Sequence, residues 1–429
     1  MPTIAAHTLG CKVNQYDTQA MMEAFEQRGY QPVSFDSEAD VYLINTCTVT
    51  GTGDHKSMQL LRRVLREHPA SRVILCGCLA QREGAALASS GACMILGTAR
   101  RAQVVDLYES AAASGTCLVA VEPLDDAGYE PLQVHAQLEH TRAVMKIQEG
   151  CRNHCTYCII PSVRGPVRSR PLEDIAREVR ELTSAGYREL VLTGIHLASY
   201  GLDFGDGTTL LSAIRVLQDT PDVWRIRLGS LEPGVATAEF ARSLGDIPAI
   251  CPQFHLALQS GSDSVLRAMH RRYTRAMYLQ AVDNLRSVFP HCALTTDIMT
   301  GFPGETDEDF AQSVDLVHRV GFARIHVFPY SEREHTPAAT LPGAVPRSLR
   351  ESRARTLIQE GRRAAQAYHE SMIGSDAEVL VETCDGNTAE GYSREYIRVR
   401  IPGVRCLPGE QIRVRLCSLQ GDVMEGRPV

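Results

Sequence analysis

The sequence predicts an α/β chain in three parts: an N-terminal open parallel α/β unit (1–112), a central partial (β/α)6 TIM-like barrel (141–372) and a small C-terminal β-barrel (373–429). Three observations carry this. Short apolar runs alternate with helix-length amphipathic segments over the first 112 residues, and the alternation resumes in a longer series from Ala143. Such alternation puts helices against a parallel sheet. Beyond residue 373 the pattern changes to short strand-like runs separated by Gly and Pro, as in a small barrel. Residues 113–140, rich in Ala, Ser, Pro and acids with weak periodicity, read as a linker.

Composition narrows the class. The 429 residues are 44% hydrophobic and 22% charged, as in a soluble globular protein. No apolar run approaches the roughly 18 residues of a membrane span, and the start, Met-Pro-Thr-Ile-Ala-Ala-His, lacks the features of a signal peptide. A cytoplasmic protein without a membrane partner is expected, in which its 14 cysteines point to metal or catalysis before disulfides. A net charge of −7 argues against a globally basic nucleic-acid binder but leaves room for local basic faces.

In the first unit Thr3–Thr8, Val41–Thr46, Arg72–Gly77 and Cys93–Leu96 read as strands, with helices such as Tyr16–Gln27 and Asp54–Arg66 between them. Cys11, Cys47 and Cys78 each stand just past one of the first three strands. Ligands of open α/β sheets bind at the carboxyl ends of the strands, so three thiols should converge there. Gly10 and Gly77 would let backbone approach a bulky group. Cys76 alternates with Cys78 and should point elsewhere; Cys93 and Cys117 read as structural.

The central unit should place strands at Ala143–Gln148, Glu189–Thr193, Trp224–Leu228, Gln253–Leu258, Ala293–Met299 and Arg324–Tyr330, with helices such as Leu172–Ala185 and Glu308–Val320. Directly after the first strand stands Gly150-Cys151-Arg152-Asn153-His154-Cys155-Thr156-Tyr157-Cys158. Thiolates are the standard ligands of iron–sulfur clusters, and three of them leave one iron of a [4Fe–4S] cube open. A structural zinc loop is the plainer alternative. The C-x3-C-x2-C spacing, with an aromatic residue before the last cysteine, resembles the radical S-adenosylmethionine (SAM) enzymes. That resemblance implies SAM on the open iron. Cofactor contacts are then expected at other strand ends: backbone at Thr193 and Gly194, and the side chains of Glu232 and Gln259. Arg164, Arg168 and Arg170 read as a solvated basic loop or as contacts to a carboxylate or phosphate.

Ser348–Met372 has the pattern of one long arginine-rich helix. The last segment should hold strands at Glu378–Glu382, Tyr396–Ile401 and Gln411–Leu416. Six arginines against Glu395 and Glu410 between residues 393 and 415, interleaved with Tyr392 and Tyr396, suit unstacked RNA bases; a protein-docking module stays open.

Taken together, two three-cysteine sets in this order resemble the methylthiotransferase family of radical SAM enzymes over essentially the whole chain. The resemblance implies an N-terminal domain whose auxiliary [4Fe–4S] cluster is held by Cys11, Cys47 and Cys78. It also implies a barrel whose cluster is held by Cys151, Cys155 and Cys158, and a C-terminal TRAM barrel. Thr8-Leu9-Gly10-Cys11-Lys12-Val13-Asn14-Gln15 and Gly391-Tyr392-Ser393-Arg394-Glu395-Tyr396 are similar to the branch acting on threonylcarbamoyladenosine at tRNA position 37. That branch implies radical SAM chemistry at C2 of the adenine, two [4Fe–4S] clusters, SAM, the tRNA anticodon loop as partner, and an electron donor such as flavodoxin or ferredoxin. Ribosomal protein S12, isopentenyladenosine in tRNA, or a non-catalytic RNA-binding role are the alternatives. Gly229, where the family commonly has Ser, and His335, where Gly is usual, depart from the pattern.

Overall fold

The computed structural model describes residues 1–135 and 141–429. Of the expected linker, residues 136–140 therefore lie outside the described residues. The N-terminal unit is a six-stranded, all-parallel sheet built, in spatial order, from Gln31–Pro32, Thr3–Thr8, Val41–Thr46, Arg72–Gly77, Met94–Leu96 and Leu118–Ala120. Val41–Thr46 is buried along its whole length because both faces are covered. One face packs on the helices Lys12–Gln27 and Val104–Ser114, the other on Gly51–Glu67. Leu118–Ala120, inside the segment read as a linker, is the outermost strand of this sheet. Three residues are too few to show a period, so only pairing reveals it.

The central unit is a partial barrel. Parallel strands run from Arg142–Glu149 through Glu189–Gly194 and Arg225–Leu228 on one side, and from Ser230–Leu231 through Gln253–Leu256 and Ala293–Thr300 to Arg324–Pro329 on the other. An isolated parallel bridge, Ile226 to Ile250, helps join the halves. All six expected strands are present. Apolar residues on their outer face, among them Ala143, Met145, Leu190, Leu192, Ile226, Phe254 and Ile298, form one core with the surrounding helices.

The last unit is a closed five-stranded barrel in the order Asp376–Asp385, Thr388–Ser393, Arg398–Pro402, Val423–Pro428, Gln411–Gln420. Two of these strands lack a clean alternation in sequence and were not anticipated. The long helix, Arg347–Ser371, precedes it. Among the described residues no helix is long and apolar enough to cross a membrane.

Tyr392 is half-buried and Tyr396 exposed, and both line a cavity beside the long helix. Their rings stack on each other at 4.6 Å and 21°, the Arg142 guanidinium lies 5.0 Å from both, and Arg227 lies 4.8 Å from Tyr396. Arg225 and Arg227 also donate to carbonyls of Glu378, Tyr392 and Arg394. The cations buried at the base of the central barrel thus hold the small barrel in place. The arginines left outside, such as Arg400 and Arg413, carry its basic face.

Candidate functional site

The first three cysteines stand at the carboxyl ends of adjacent strands. Cys11 is the N-cap of Lys12–Gln27, Cys47 follows Val41–Thr46, and Cys78 opens the short helix Cys78–Glu83. Gly10 and Gly77 make this possible. Both have positive φ (+108° and +93°), and a Cβ on Gly10 would lie 3.1 Å from Cys47 Sγ. A Cβ on Gly77 would fall 2.2 Å from Asn45 Oδ1 and 2.7 Å from the Thr46 carbonyl. Cys76 points into the apolar core of the opposite face, as its alternation predicts.

Burial pushes the Cys78 thiol up to about 11, Arg164 pulls it back, and the nearby Cys11 and Cys47 raise it further. In the second set burial pushes Cys158 up to about 12; a backbone hydrogen bond at Ile160, not an arginine, is the first opposing cause, and Cys155 and Cys151 add to the rise. Both sets thus bring three thiols into one neighbourhood, a soft donor array suited to a metal cluster; coordination deprotonates a thiol outright. Among the described residues no three His, Cys, Asp or Glu side chains converge tightly enough for a single metal ion.

Each set has one thiol held by an arginine. Arg164 Nε donates to Cys78 Sγ at 3.2 Å, and Arg271 Nη1 donates to Cys155 Sγ at 3.1 Å. Arg164 is fully buried, not solvated. Its guanidinium donates to Asp17 and Glu149 at 3.0 Å each and also reaches Asn14 Oδ1. Arg101 and Lys146 complete the cluster, each contacting both carboxylates. Burial works against the ionised carboxyls, but Arg101, Lys146 and Arg164 hold Asp17 below the ordinary range, and the same three cations, Arg164 foremost, hold Glu149 well below it. Arg170 pairs with buried Glu178 beside Tyr16. Arg168 donates to the Arg164 carbonyl at 2.7 Å. Arg164 and Arg170 thus join the first unit to the barrel, and Arg168 braces Arg164. A second clamp, Arg333 Nη2 to Thr48 Oγ1 and Asp54 Oδ2 at 2.7 Å, ties the loop after Cys47 to the last barrel strand. The N-terminal unit thus spans the open side of the barrel.

A cavity of about 150 Å³ lies beside the second set, lined by Cys151, Cys155 and Cys158 together with Asn153, His196, Glu232, Gln259 and Arg271. Glu232 and Gln259 are where the sequence reading puts them. Thr193 and Gly194 end their strand, but the cavity is lined by the next two residues, Ile195 and His196. Glu232 accepts from Asn153 at 3.3 Å, lies 3.2 Å from His196 Nε2, and pairs with Arg271 at 3.2 Å. Burial would raise its pKa, yet the His196 hydrogen bond and the Arg271 charge bring it below the ordinary range. Asn153, His196 and Arg271 were missed by the sequence reading; only Asn153, inside the cysteine loop, carried a signal. The first three cysteines do not line this cavity. Cys78 packs instead on Ile159 and Val163, so the turn after Cys158 separates the two sets.

The departures now have a physical meaning. His335 has φ +66°, a left-handed conformation that explains why glycine is usual there. A Cβ on Gly229 would lie 2.9 Å from the Leu192 carbonyl, so serine would need a small shift.

Residues 145–317 match the Radical SAM superfamily, and residues 3–97 match Uncharacterized protein family UPF0004. The threonylcarbamoyladenosine tRNA methylthiotransferase MtaB of Bacillus subtilis is 36% identical over 100% of this chain and 96% of its own length. The chain belongs to the radical SAM methylthiotransferase family. A second relative of the same name, from Thermotoga maritima, is 34% identical over 100% of this chain and 99% of its own. The tRNA-2-methylthio-N(6)-dimethylallyladenosine synthase of Moorella thermoacetica is 33% identical over 98% and 97%. Among solved structures, the radical SAM methyltransferase TsrM of Kitasatospora setae, with cobalamin and a [4Fe–4S] cluster bound, superposes with a TM-score of 0.57 at 16% identity. It covers 79% of this chain and 77% of that one, a likeness of fold. Membership of this family brings [4Fe–4S] clusters and SAM as cofactors.

Proposed function

We propose that the chain converts N6-threonylcarbamoyladenosine at position 37 of tRNA to its 2-methylthio derivative. The observation that carries this is the pair of three-thiol sets on either side of one turn, in a chain that matches, end to end, enzymes named for that reaction. Cys11, Cys47 and Cys78 would hold the auxiliary cluster, and Cys151, Cys155 and Cys158 the cluster that meets SAM. When bound, these groups supply one-electron cleavage chemistry and a sulfur for transfer.

The chain's own residues do the positioning. Arg164 and Arg271 each donate to one thiol of a set, which favours its anionic form. Glu232, kept ionised by His196 and Arg271, can accept from the SAM amine or ribose hydroxyls, and Gln259 and the backbone after Gly194 complete that wall. The two clamps hold the N-terminal unit against the barrel side. A small reduced electron carrier, flavodoxin or ferredoxin, and a cytoplasmic setting complete the proposal.

The test is mass spectrometry of nucleosides from bulk tRNA, with and without the gene. Loss of 2-methylthio-N6-threonylcarbamoyladenosine with accumulation of its precursor is expected. A change in the isopentenyl analogue alone would reassign the substrate, and no change in either would direct the search to ribosomal protein S12.

A further inference from the structure

Barrels of this type usually fill their interior with layers of branched apolar side chains. Here the inner face is polar. On Arg324–Pro329 the outward Ile325 and Val327 pack against the core shared with the helices, whereas Arg324 and His326 between them are exposed although they lie within a strand. His326 is paired in register with Asp297 on the neighbouring strand. Asp297 Oδ2 lies 3.3 Å from His255 Nε2 on the strand beyond, and His255 Nδ1 lies 3.0 Å from Thr295 Oγ1. Both nitrogens of His255 are therefore engaged, and Asp297 already has a partner. The His255 and His326 rings stand 6.4 Å apart. Neither His326 nor Arg324 has a hydrogen-bond or ion-pair partner among the described residues, and they sit two positions apart on one face, roughly 6.6 Å along the strand. Other charged groups on this inner face include Arg225 and Arg227, both paired with Glu189, Lys12 close to them, and Arg142, paired with Glu382 and stacked over the two tyrosines.

This cluster lies directly beneath the cavity. His255 precedes Ala257 and Gln259 by two and four residues, on the same face, and both of those line the cavity with the three cysteines. A substrate base that enters far enough to meet the cavity would carry its exocyclic substituent toward these side chains.

We infer that His326 and Arg324, backed by the His255–Asp297 pair, form the recognition site for an anionic N6 substituent on the substrate adenosine. The inference rests on the proposed function and deepens it: the threonyl carboxylate would accept from His326 and pair with Arg324. An apolar substituent such as isopentenyl would leave both polar groups desolvated and unpaired, the arrangement that gives the steepest discrimination between substrates. His326 and Arg324 are specificity-determining rather than catalytic, since neither meets the reacting carbon.

The experiment uses the full-length, cluster-loaded protein and two synthetic anticodon stem-loops, one with N6-threonylcarbamoyladenosine and one with plain adenosine at position 37. Dissociation constants are read by fluorescence anisotropy. Wild type should bind the modified RNA about tenfold more tightly, the worth of one or two charge-assisted hydrogen bonds. His326→Phe should cut that preference several-fold while leaving the affinity for the plain RNA unchanged. His326→Gln, which keeps an N–H donor, should retain more of it, and His326→Phe combined with Arg324→Met should abolish it. Arg324→Met should weaken binding of the modified RNA alone. Undiminished preference in His326→Phe, equal weakening toward both RNAs, or no preference in wild type would overturn the inference. Turnover separates the two readings. If wild type methylthiolates the modified RNA and the double variant still discriminates, only this inference fails. If wild type does not methylthiolate it at all, the proposed function fails with it.

Discussion

Cys151, Cys155 and Cys158 come from one short loop, whereas Cys11, Cys47 and Cys78 come from the ends of three strands that only the folded sheet brings together. Both sets end in the same donor array, three thiols with one arginine on one sulfur. Their dependence on the rest of the molecule differs. The loop set needs a local turn, with Gly150 at φ +72° packed against the Pro166 carbonyl and His154 at φ +47°. The dispersed set needs the sheet, two positive-φ glycines, and Arg164, which reaches it from the barrel side. The chain therefore makes the N-terminal set conditional on domain docking and the barrel set nearly independent of it.

The largest break in that symmetry should come from the cysteines themselves. Replacing Cys151, Cys155 and Cys158 with Ala should abolish SAM cleavage, measured by chromatography of 5′-deoxyadenosine under anaerobic reduction. Replacing Cys11, Cys47 and Cys78 should leave that cleavage in place while product formation disappears. Arg164→Met is next. It strands Asp17 and Glu149 with fewer cations, and removing one partner of a buried ionic cluster costs about 3–5 kcal/mol. Iron should fall at the dispersed set and persist at the loop set, as resolved by Mössbauer spectra.

Gly150→Ala and Gly77→Ala should sharpen the contrast. A Cβ on Gly150 would sit 1.8 Å from the Pro166 carbonyl, so that change should cost about 2 kcal/mol or more and impair the loop set. Gly77→Ala should impair only the dispersed one; chemical denaturation and iron content check both. The smallest effect concerns the loop beside Gln259. Asp309 accepts from Ser262, Ser264 and Thr306, bonds that outweigh burial and bring its carboxyl down to about 2. A folded pKa below the unfolded value of about 3.9 stabilises above pH about 4, and the gain is lost as pH falls through about 2. Asp309→Asn should thus cost about 1 kcal/mol at neutral pH and almost nothing near pH 2, read from urea midpoints.

The same contrast explains what the sequence could tell. The loop set is legible because its spacing is local, and the dispersed set is legible because each cysteine closely follows an apolar strand. The six barrel strands are legible because each is followed by a helix-length segment. What fails is whatever depends on a partner far away in sequence. For Arg164 the sequence leaves a solvated loop or a carboxylate contact open, and only the fold shows that the carboxylates are Asp17 and Glu149 from other elements. The stacking of Tyr392 on Tyr396 and their contacts with Arg142 and Arg227 cannot be read locally, because both arginines come from the central barrel. Leu118–Ala120 looks like a linker until Met94–Leu96 pairs with it. Arg271 has no local signature; only the fold brings it to Cys155 and Glu232.

The most direct test of two cluster sites, one local and one dispersed, is iron and sulfide quantification of the anaerobically reconstituted protein and its two triple-cysteine variants. The wild type should bind about eight irons, four per cube, and each variant about half of that. Full iron retention after loss of Cys11, Cys47 and Cys78 would contradict the account, because nothing else in the first unit would then be needed to hold a cluster.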